Sequence, residues 1–387
     1  VESQRRKCAL SINHTLVPSD RTNFPILVTH DSLPSEILDA DGAYCANADG
    51  GDIRFSSDSG GASQLPCEIV RFTRDNNPAN GRAEIWVKVT SISSSADTVI
   101  YVWYNDPLAA MPAAGSTYGK YNTWDSDFRL VMHCNQDPSG GGAGDIKDST
   151  SNQNNGTPSG MAGGDLVDGL FGKAYYFDMV NNKILVGDNA TLEPTDLTLE
   201  IVLQNTDRTN AYPPNYGKHV HKGSAGGAPF GAYTIQNSNQ GLDPNDVEFQ
   251  IGKTNSVAYT ARTTTGLSLS TWYHIAGTYL NSSGNMIIYR NGVSDGTQTS
   301  STSYSLLYDA NGLGICNEGA GGGGFFKGYE EEIRVHATQR SEDWLKTSYN
   351  TMFSPSTFVT EGSPQSNFFG SHAVQNGIMR GVAVGVC

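Results

Sequence analysis

The sequence lacks the marks of several protein classes. Its six cysteines, Cys8, Cys45, Cys67, Cys134, Cys316 and Cys387, include no Cys-x-x-Cys pair. That speaks against a zinc ribbon or a dithiol redox centre. Their wide spacing also excludes a disulfide-rich miniprotein. Cys45 and Cys67 flank one loop-rich segment and can pair; buried free thiols are the other reading. No apolar run reaches the roughly 18 residues that a membrane-crossing helix needs. Charged residues make up only 17% and the net charge is −14. A phosphate backbone would be repelled, so no nucleic-acid partner is expected. Val1–Lys7 is polar and basic with no apolar centre, so no secretory leader is expected there. Gly-x-Ser-x-Gly and His-Glu-x-x-His are both absent, which removes two hydrolase signatures.

What is abundant is glycine, 44 residues in 387, together with Ser, Thr and Asn. That profile suits short strands and many turns. The length suggests more than one domain. In residues 1–105, strands are expected at Phe24–Val28, Ile53–Phe55, Ala83–Val89 and Thr98–Tyr104. The last is apolar on both faces and reads as a central strand. Residues 106–126 are rich in Ala, Pro and Gly and read as a linker; its Tyr118, Tyr121 and Trp124 would lean on the domains. Residues 127–362 carry strands at Phe128–His133, Ala174–Asp178, Lys183–Val186, Leu197–Leu203, Val247–Ile251, Leu313–Cys316 and Tyr329–His336. The clearest local unit is Thr271–Gly292, two strands around a polar turn at Asn281–Asn285, closed by Asn291-Gly292. Trp272 is expected to anchor its core. Thr338–Asn350 reads as a short helix with Ser341 as N-cap and Glu342 and Asp343 in its first turn.

The order of Trp-x-His hairpin, Asn-Gly turn, acidic strand Tyr329–Val335 and Arg-Ser-x-x-Trp helix resembles laminin-G-like jelly rolls of the concanavalin A-like lectin group. The resemblance covers residues 127–362. The preceding block resembles a domain of unknown function common in bacterial and phage surface proteins. It does so through Asn23–Val28, Gly50–Phe55, Leu65–Ile69, Ala83–Val89 and Ile100–Asn105. Cys67 departs from the aromatic usual there, as Asn105-Asp106-Pro107 does from Gly-Asn-Pro. In the jelly roll, Tyr329-Glu330-Glu331-Glu332 replaces the usual Ile-Asp-Glu element. The expected architecture is all-β: two β-sandwiches, the second a laminin-G-like jelly roll, with a C-terminal tail at 363–387.

The resemblance implies recognition or adhesion without catalysis, with glycans or cell-surface polysaccharide as partners. A calcium ion would be held by Asp148, Asn152 and Asn154 with Glu331; a solvated turn is the plainer reading of that loop. Tyr212, Tyr216 and Tyr233, with Asn210, Asn215 and Asn237, are candidates for sugar contacts from loops; as single residues they read more simply as cover for the sandwich edge. Glucanases of this fold use Glu-x-Asp-x-Glu, whose alternation puts three carboxylates on one face. Here the glutamates are consecutive, so Glu331 is expected to point opposite to its neighbours. His219 and His221, which would share one face of a strand, lie in loop-like sequence and are a weaker metal candidate. In the tail, Phe368, Phe369, Ile378 and Met379 carry apolar area that a Gly-rich segment cannot bury in itself. They are expected to pack on another copy or another protein of an assembly. The tail and the absent leader suggest a phage or virus particle surface, with a secreted bacterial surface protein as the alternative. Two further readings stay open: a spacer or assembly protein without ligand, and an accessory carbohydrate-binding module of an enzyme. The domains at 1–105 and 127–362 are expected to fold independently.

Overall fold

The computed structural model describes residues 5–44, 46–208, 217–224, 231–238, 245–319 and 323–366. Strands dominate, in four sheets among the described residues. The first sandwich pairs a six-stranded sheet with a three-stranded one. The six-stranded sheet runs Val359–Glu361, Arg6–Ile12, Thr98–Tyr104, Arg54–Ser56, Gln64–Leu65, with Gln365–Ser366 also on Arg6–Ile12. The three-stranded sheet is Arg21–Thr29, Arg82–Ile92, Cys67–Thr73. Between them lies an apolar core with Leu10, Phe24, Ile26, Phe55, Ile85, Val87 and Val102. Thr98–Tyr104 is central, as its two apolar faces imply.

The second sandwich pairs an eight-stranded sheet with a seven-stranded one. The first of these centres on Lys327–His336, Leu197–Asp207, Tyr273–Leu280 and Asn285–Arg290. The other runs Ala258–Arg262, Val247–Gly252, Tyr233–Asn237, Lys218–Lys222, Leu313–Ile315, Lys183–Val186, Gly156–Ser159. Alternation is clear in Leu197–Asp207, where Leu199, Ile201 and Leu203 enter the core while Glu200 and Val202 face the other way. The hairpin turn at Asn291-Gly292 has both residues at positive φ, 55° and 72°, as a two-residue turn between twisted strands requires. A Cβ on Gly277 would overlap the Phe249 ring of the opposite sheet. The two sheets therefore close on each other through a missing side chain.

Three expectations are corrected here. First, the chain returns to its beginning. Val359–Glu361 pairs antiparallel with Leu10–Ile12, and Phe358 and Val359 sit in the core of the first sandwich. A division at residues 127–362 thus splits the first sandwich, and its last strands come from the far end of the chain. Second, Trp272 is half-buried beside Tyr329, ring centroids 6.1 Å apart, at the margin of a cluster between the sandwiches. It does not anchor the jelly-roll core. Third, the helix is Glu342–Phe353, shifted toward the C-terminus, with Ser341 accepting from the Trp344 amide at 3.3 Å. Its Thr351 hydroxyl accepts from the Leu27 amide at 2.9 Å, and the Asn350 amide donates to the Leu16 carbonyl at 2.7 Å. The helix therefore fastens the second sandwich to the first. Cys8, Cys67, Cys134 and Cys316 are buried free thiols; Cys45 lies outside the described residues.

Candidate functional site

Two polar assemblies are built on the sheets, and both are largely buried. The first crosses the seven-stranded sheet on the face turned from the core. Lys218 pairs with Gln236, Gln236 with Glu248, and Glu248 with Arg262, each on the next strand. The Lys218 ammonium donates to the Gln236 carbonyl oxygen. The Gln236 amide donates to Glu248 at 3.0 Å, as does the Ser238 hydroxyl. Arg262 clamps the same carboxylate through Nε at 3.0 Å and Nη2 at 2.7 Å. One step along, Val220, Ile235, Phe249 and Ala261 enter the core. Beyond them, His221, Thr234, Gln250 and Thr260 form a second polar row, with Gln250 donating to Thr260 at 3.1 Å. Strand alternation thus produces two ribs of hydrogen-bonding groups. Burial pulls the Lys218 ammonium down to about 8, against the attraction of Glu318 and Glu248. Arg262 stays about one-third exposed.

The second assembly lies where the three-stranded sheet meets the eight-stranded one. In Arg82–Ile92, Ile85, Val87 and Val89 face the first core, while Glu84 and Trp86 face the second sandwich. Trp86, Trp124, Phe128, Val131, Val202 and Met352 form an apolar wall there. Inside it, His133 bonds Glu332 at 2.7 Å and Glu68 at 3.4 Å. Arg334 donates to Glu332 at 2.8 Å and stacks over Trp86 and Trp124 at 4.4 and 5.2 Å. Burial alone would pull the His133 imidazolium down, but Glu332 and Glu68 push it up to about 10. Burial raises Glu84 to about 7, against the pull of His133, and leaves its Oε2 without a hydrogen-bond partner. Nearby, Glu200 accepts from His274 at 2.9 Å, His336 at 2.6 Å and Ser348 at 2.9 Å.

Glu84, His133 and Glu332 place one potential ligand atom each within 4.8 Å of one another. The donor set does not fit a metal. Both His133 nitrogens are engaged by carboxylates and Glu332 already holds a guanidinium, so a cation would have to break a satisfied network.

The acidic triplet departs from simple alternation. Val202 pairs with Glu332 and Leu203 with Glu330, leaving Glu331 as the extra residue of a bulge. Glu331 and Glu332 consequently both turn toward the first sandwich, so Glu331 opposes Glu330 as expected but not Glu332. Glu331 accepts from the backbone amides of Leu170 at 2.6 Å, Phe171 at 3.0 Å and Gly172. Burial still raises it, to about 8. Glu330 enters the jelly-roll core and meets His219 at 3.0 Å, which meets Asn237 at 3.0 Å. Burial lowers His219 to about 3 and raises Glu330 well above its ordinary range. In both groups burial disfavours the charged form.

Of the residues expected to hold calcium, Asp148, Asn152 and Asn154 share one loop, where they bond to its backbone and to Arg129. Asp148 accepts from the amides of Val131, Thr150 and Asn154 at 3.0, 2.9 and 2.8 Å and from the Thr150 hydroxyl at 2.8 Å. Asn152 and Asn154 donate to the Arg129 carbonyl. Asp148 shapes its own loop, while Glu331 holds a different one, so their oxygens do not fit a shared cation shell. Tyr233 is fully buried and donates to the Leu192 carbonyl at 3.0 Å; it has no free face for a sugar. Asn237 is enclosed by Asn205 and His219. His219 and His221 lie on a strand, not a loop, and a bulge between Lys218 and Val220 gives them different surroundings. Tyr212, Asn215, Tyr216 and Asn210 lie outside the described residues, as do Phe368, Phe369, Ile378 and Met379.

Residues 178–346 match the family model of the Concanavalin A-like lectin/glucanases superfamily. The second sandwich is a concanavalin A-like domain. Residues 49–126 match a Domain of unknown function (DUF2341), within the first sandwich and the linker. No curated protein matches the chain. Among solved structures, the binding domain of botulinum neurotoxin DC in complex with SialylT is similar at 11% identity and TM-score 0.42, over 59% of this chain and 52% of that one. The receptor binding domain of botulinum neurotoxin D is similar at 11% identity and TM-score 0.42, over 58% and 52%. Domain 4 of a GH43 extracellular arabinanase from Geobacillus stearothermophilus, in complex with arabinotriose, is similar at 19% identity and TM-score 0.42, over 58% and 98%. The chain spans about half the length of the neurotoxin domains.

Sequence reasoning passed over Glu68, Glu84, Trp86, His133 and Arg334. One signal was present: in Ala83-Glu84-Ile85-Trp86-Val87, a tryptophan shares the face of the glutamate opposite an apolar face. A large aromatic on the supposed wet face marks a second buried surface.

Proposed function

We propose that the chain is a non-catalytic recognition module that binds glycans through the outer face of its concanavalin A-like domain. The observation that carries this reading is the open end of the rib, where Arg262 is held against the buried Glu248 carboxylate through Nε and Nη2 and keeps about one-third of its side chain exposed, a pre-ordered donor that a sugar's hydroxyls can join. Strand register puts Lys218, Gln236 and Glu248 side by side near one end of their strands, with Arg262 next in line. The superfamily match supports a lectin-like role. The buried, engaged triplet Glu330–Glu332 supports the absence of glycosidase chemistry, which needs two accessible carboxylates. We read the setting as extracellular or as a phage or virus particle surface, with copies of itself or other particle proteins as further partners. No helix among the described residues is long and apolar enough to cross a membrane.

A spacer role is the second reading, favoured by the interlocked sandwiches and the returning strand Val359–Glu361. A glycan array separates the two. Saturable binding to a glycan class, lowered at least tenfold by Arg262→Ala, supports recognition at the rib; an empty array with folded protein supports the spacer.

A further inference from the structure

The first sandwich holds a cavity of about 230 Å³ at one end of its six-stranded sheet. It opens where Arg54–Ser56 and Thr98–Tyr104 meet the connections that follow them, and most of its lining falls in the segment matched as a domain of unknown function. Its charges are already matched within the wall. Arg5 pairs with Asp106, through Nε at 2.6 Å. Asp52 accepts from the amides of Asn47 at 2.7 Å and Asp106 at 3.1 Å. Arg54 donates to the carbonyls of Gly51, Ile53 and Ala110 at 2.9, 2.7 and 2.5 Å. Arg5 and Asp106 neutralise each other, while Asp52 is held by backbone amides and Arg54 by backbone carbonyls, so an ionic ligand would have to displace a bond already made. A neutral ligand with hydroxyls can add hydrogen bonds to the remaining lone pairs and N–H groups.

The wall is also pre-shaped. The Trp103 indole donates to the Ser56 hydroxyl at 2.8 Å. Asp58 holds the opposite loop through the amides of Gly60 at 2.8 Å and Ala62 at 3.2 Å. Gly61, at φ +78°, lies against the indole, and a Cβ there would stand 3.0 Å from its ring. The Gln64 amide projects at this mouth with no hydrogen-bond partner among the described residues. The volume lies below the roughly 300–1,000 Å³ of sites for drug-sized ligands, which suits a single ring.

The geometry points to a second binding site in the first sandwich, specific for a neutral hydroxylated ring such as a single hexose unit or the end of a glycan chain. It stands independently of the rib on the concanavalin A-like domain. The probes are methyl glycosides of glucose, galactose, mannose and N-acetylglucosamine, titrated into the full chain by saturation-transfer NMR. The expected result is saturable binding of at least one glycoside, lost tenfold or more in Gln64→Trp, which fills the mouth, and kept in Arg262→Ala. The Trp103 indole N–H resonance, assigned with Trp103→Phe, should shift on titration. That readout in the unaltered protein decides the matter if Gln64→Trp melts low. No binding by any of the four, binding unaffected by a folded Gln64→Trp, or saturation without movement of the Trp103 resonance overturns the assignment.

Discussion

The two buried polar assemblies differ in where their partners come from. Between the sandwiches, His133 and Glu332 belong to the second body and Glu68 and Glu84 to the first, and a tryptophan wall encloses them. On the seven-stranded sheet, Lys218, Gln236, Glu248 and Arg262 come from four neighbouring strands of one sheet, and the row ends at a partly exposed arginine. The first arrangement closes an interface; the second leaves an edge on which a ligand can build. Buried charge alone therefore does not mark a binding site. What separates the two is whether the network terminates inside the protein.

The comparison can be broken at its strongest point first. Trp86→Ala removes the wall over which Arg334 stacks and opens a cavity in the interface. It should cost about 3–5 kcal/mol, read as a lower midpoint in urea. His133→Ala strips Glu68 and Glu332 of their shared cation and should cost a comparable amount, on the order of 3–5 kcal/mol. If either variant melts like the parent, the interface is not the element that fastens the sandwiches.

A pH series sharpens the same contrast. Glu84 and Glu331 are raised by burial to about 7 and 8, so the folded chain keeps protons that the unfolded chain has lost above its ordinary carboxyl range. His133, raised to about 10, contributes stability that is complete below its unfolded value near 6.5 and fades above it. Neutral buried His219, lowered to about 3, works the other way, but only below about pH 6.5. Lys218, lowered to about 8, opposes only above that value. Between about pH 6.5 and 8 stability should therefore fall with rising pH, by roughly 1.4 kcal/mol per pH unit for each proton of difference. Glu84→Gln should flatten the profile and raise the midpoint at pH 8. A profile that rises across this window would contradict the network's protonation.

Smaller effects follow. Ser341→Ala removes the N-cap of the helix joining the sandwiches and should cost about 1 kcal/mol. Calcium should not move the thermal midpoint, because the oxygens of Asp148 and Glu331 are committed to backbone amides. Calorimetry with calcium and with chelator checks this, and a rise of several degrees would reinstate a cation site.

Much of the architecture was legible because it is local. The hairpin around Asn281–Asn285, the Asn291-Gly292 turn and the alternation of Leu197–Leu203 are set by neighbours in sequence. The features that escaped are long-range or break the period. Val359–Glu361 is too short to carry a pattern, and its partner lies at the opposite end of the chain. The bulge at Glu331 has no glycine to announce it, so alternation misplaces Glu332 relative to Glu331. Tyr233 and Asn237, placed on loops by their polar surroundings, belong to a strand, where the fold decides which side chain turns inward. The rib shows the same limit: Lys218, Gln236, Glu248 and Arg262 are unremarkable singly, and only strand register aligns them.

The most direct test puts both assemblies through one glycan array, with melts recorded on the same samples. The account predicts that folded Arg262→Ala loses binding tenfold or more, with a lower midpoint because the buried Glu248 carboxylate keeps only its Gln236 and Ser238 donors. Glu84→Gln should bind as the unaltered chain does while its midpoint shifts at pH 8. Undiminished binding by Arg262→Ala, or binding lost by folded Glu84→Gln, would contradict the division between a recognition face and a sealed interface.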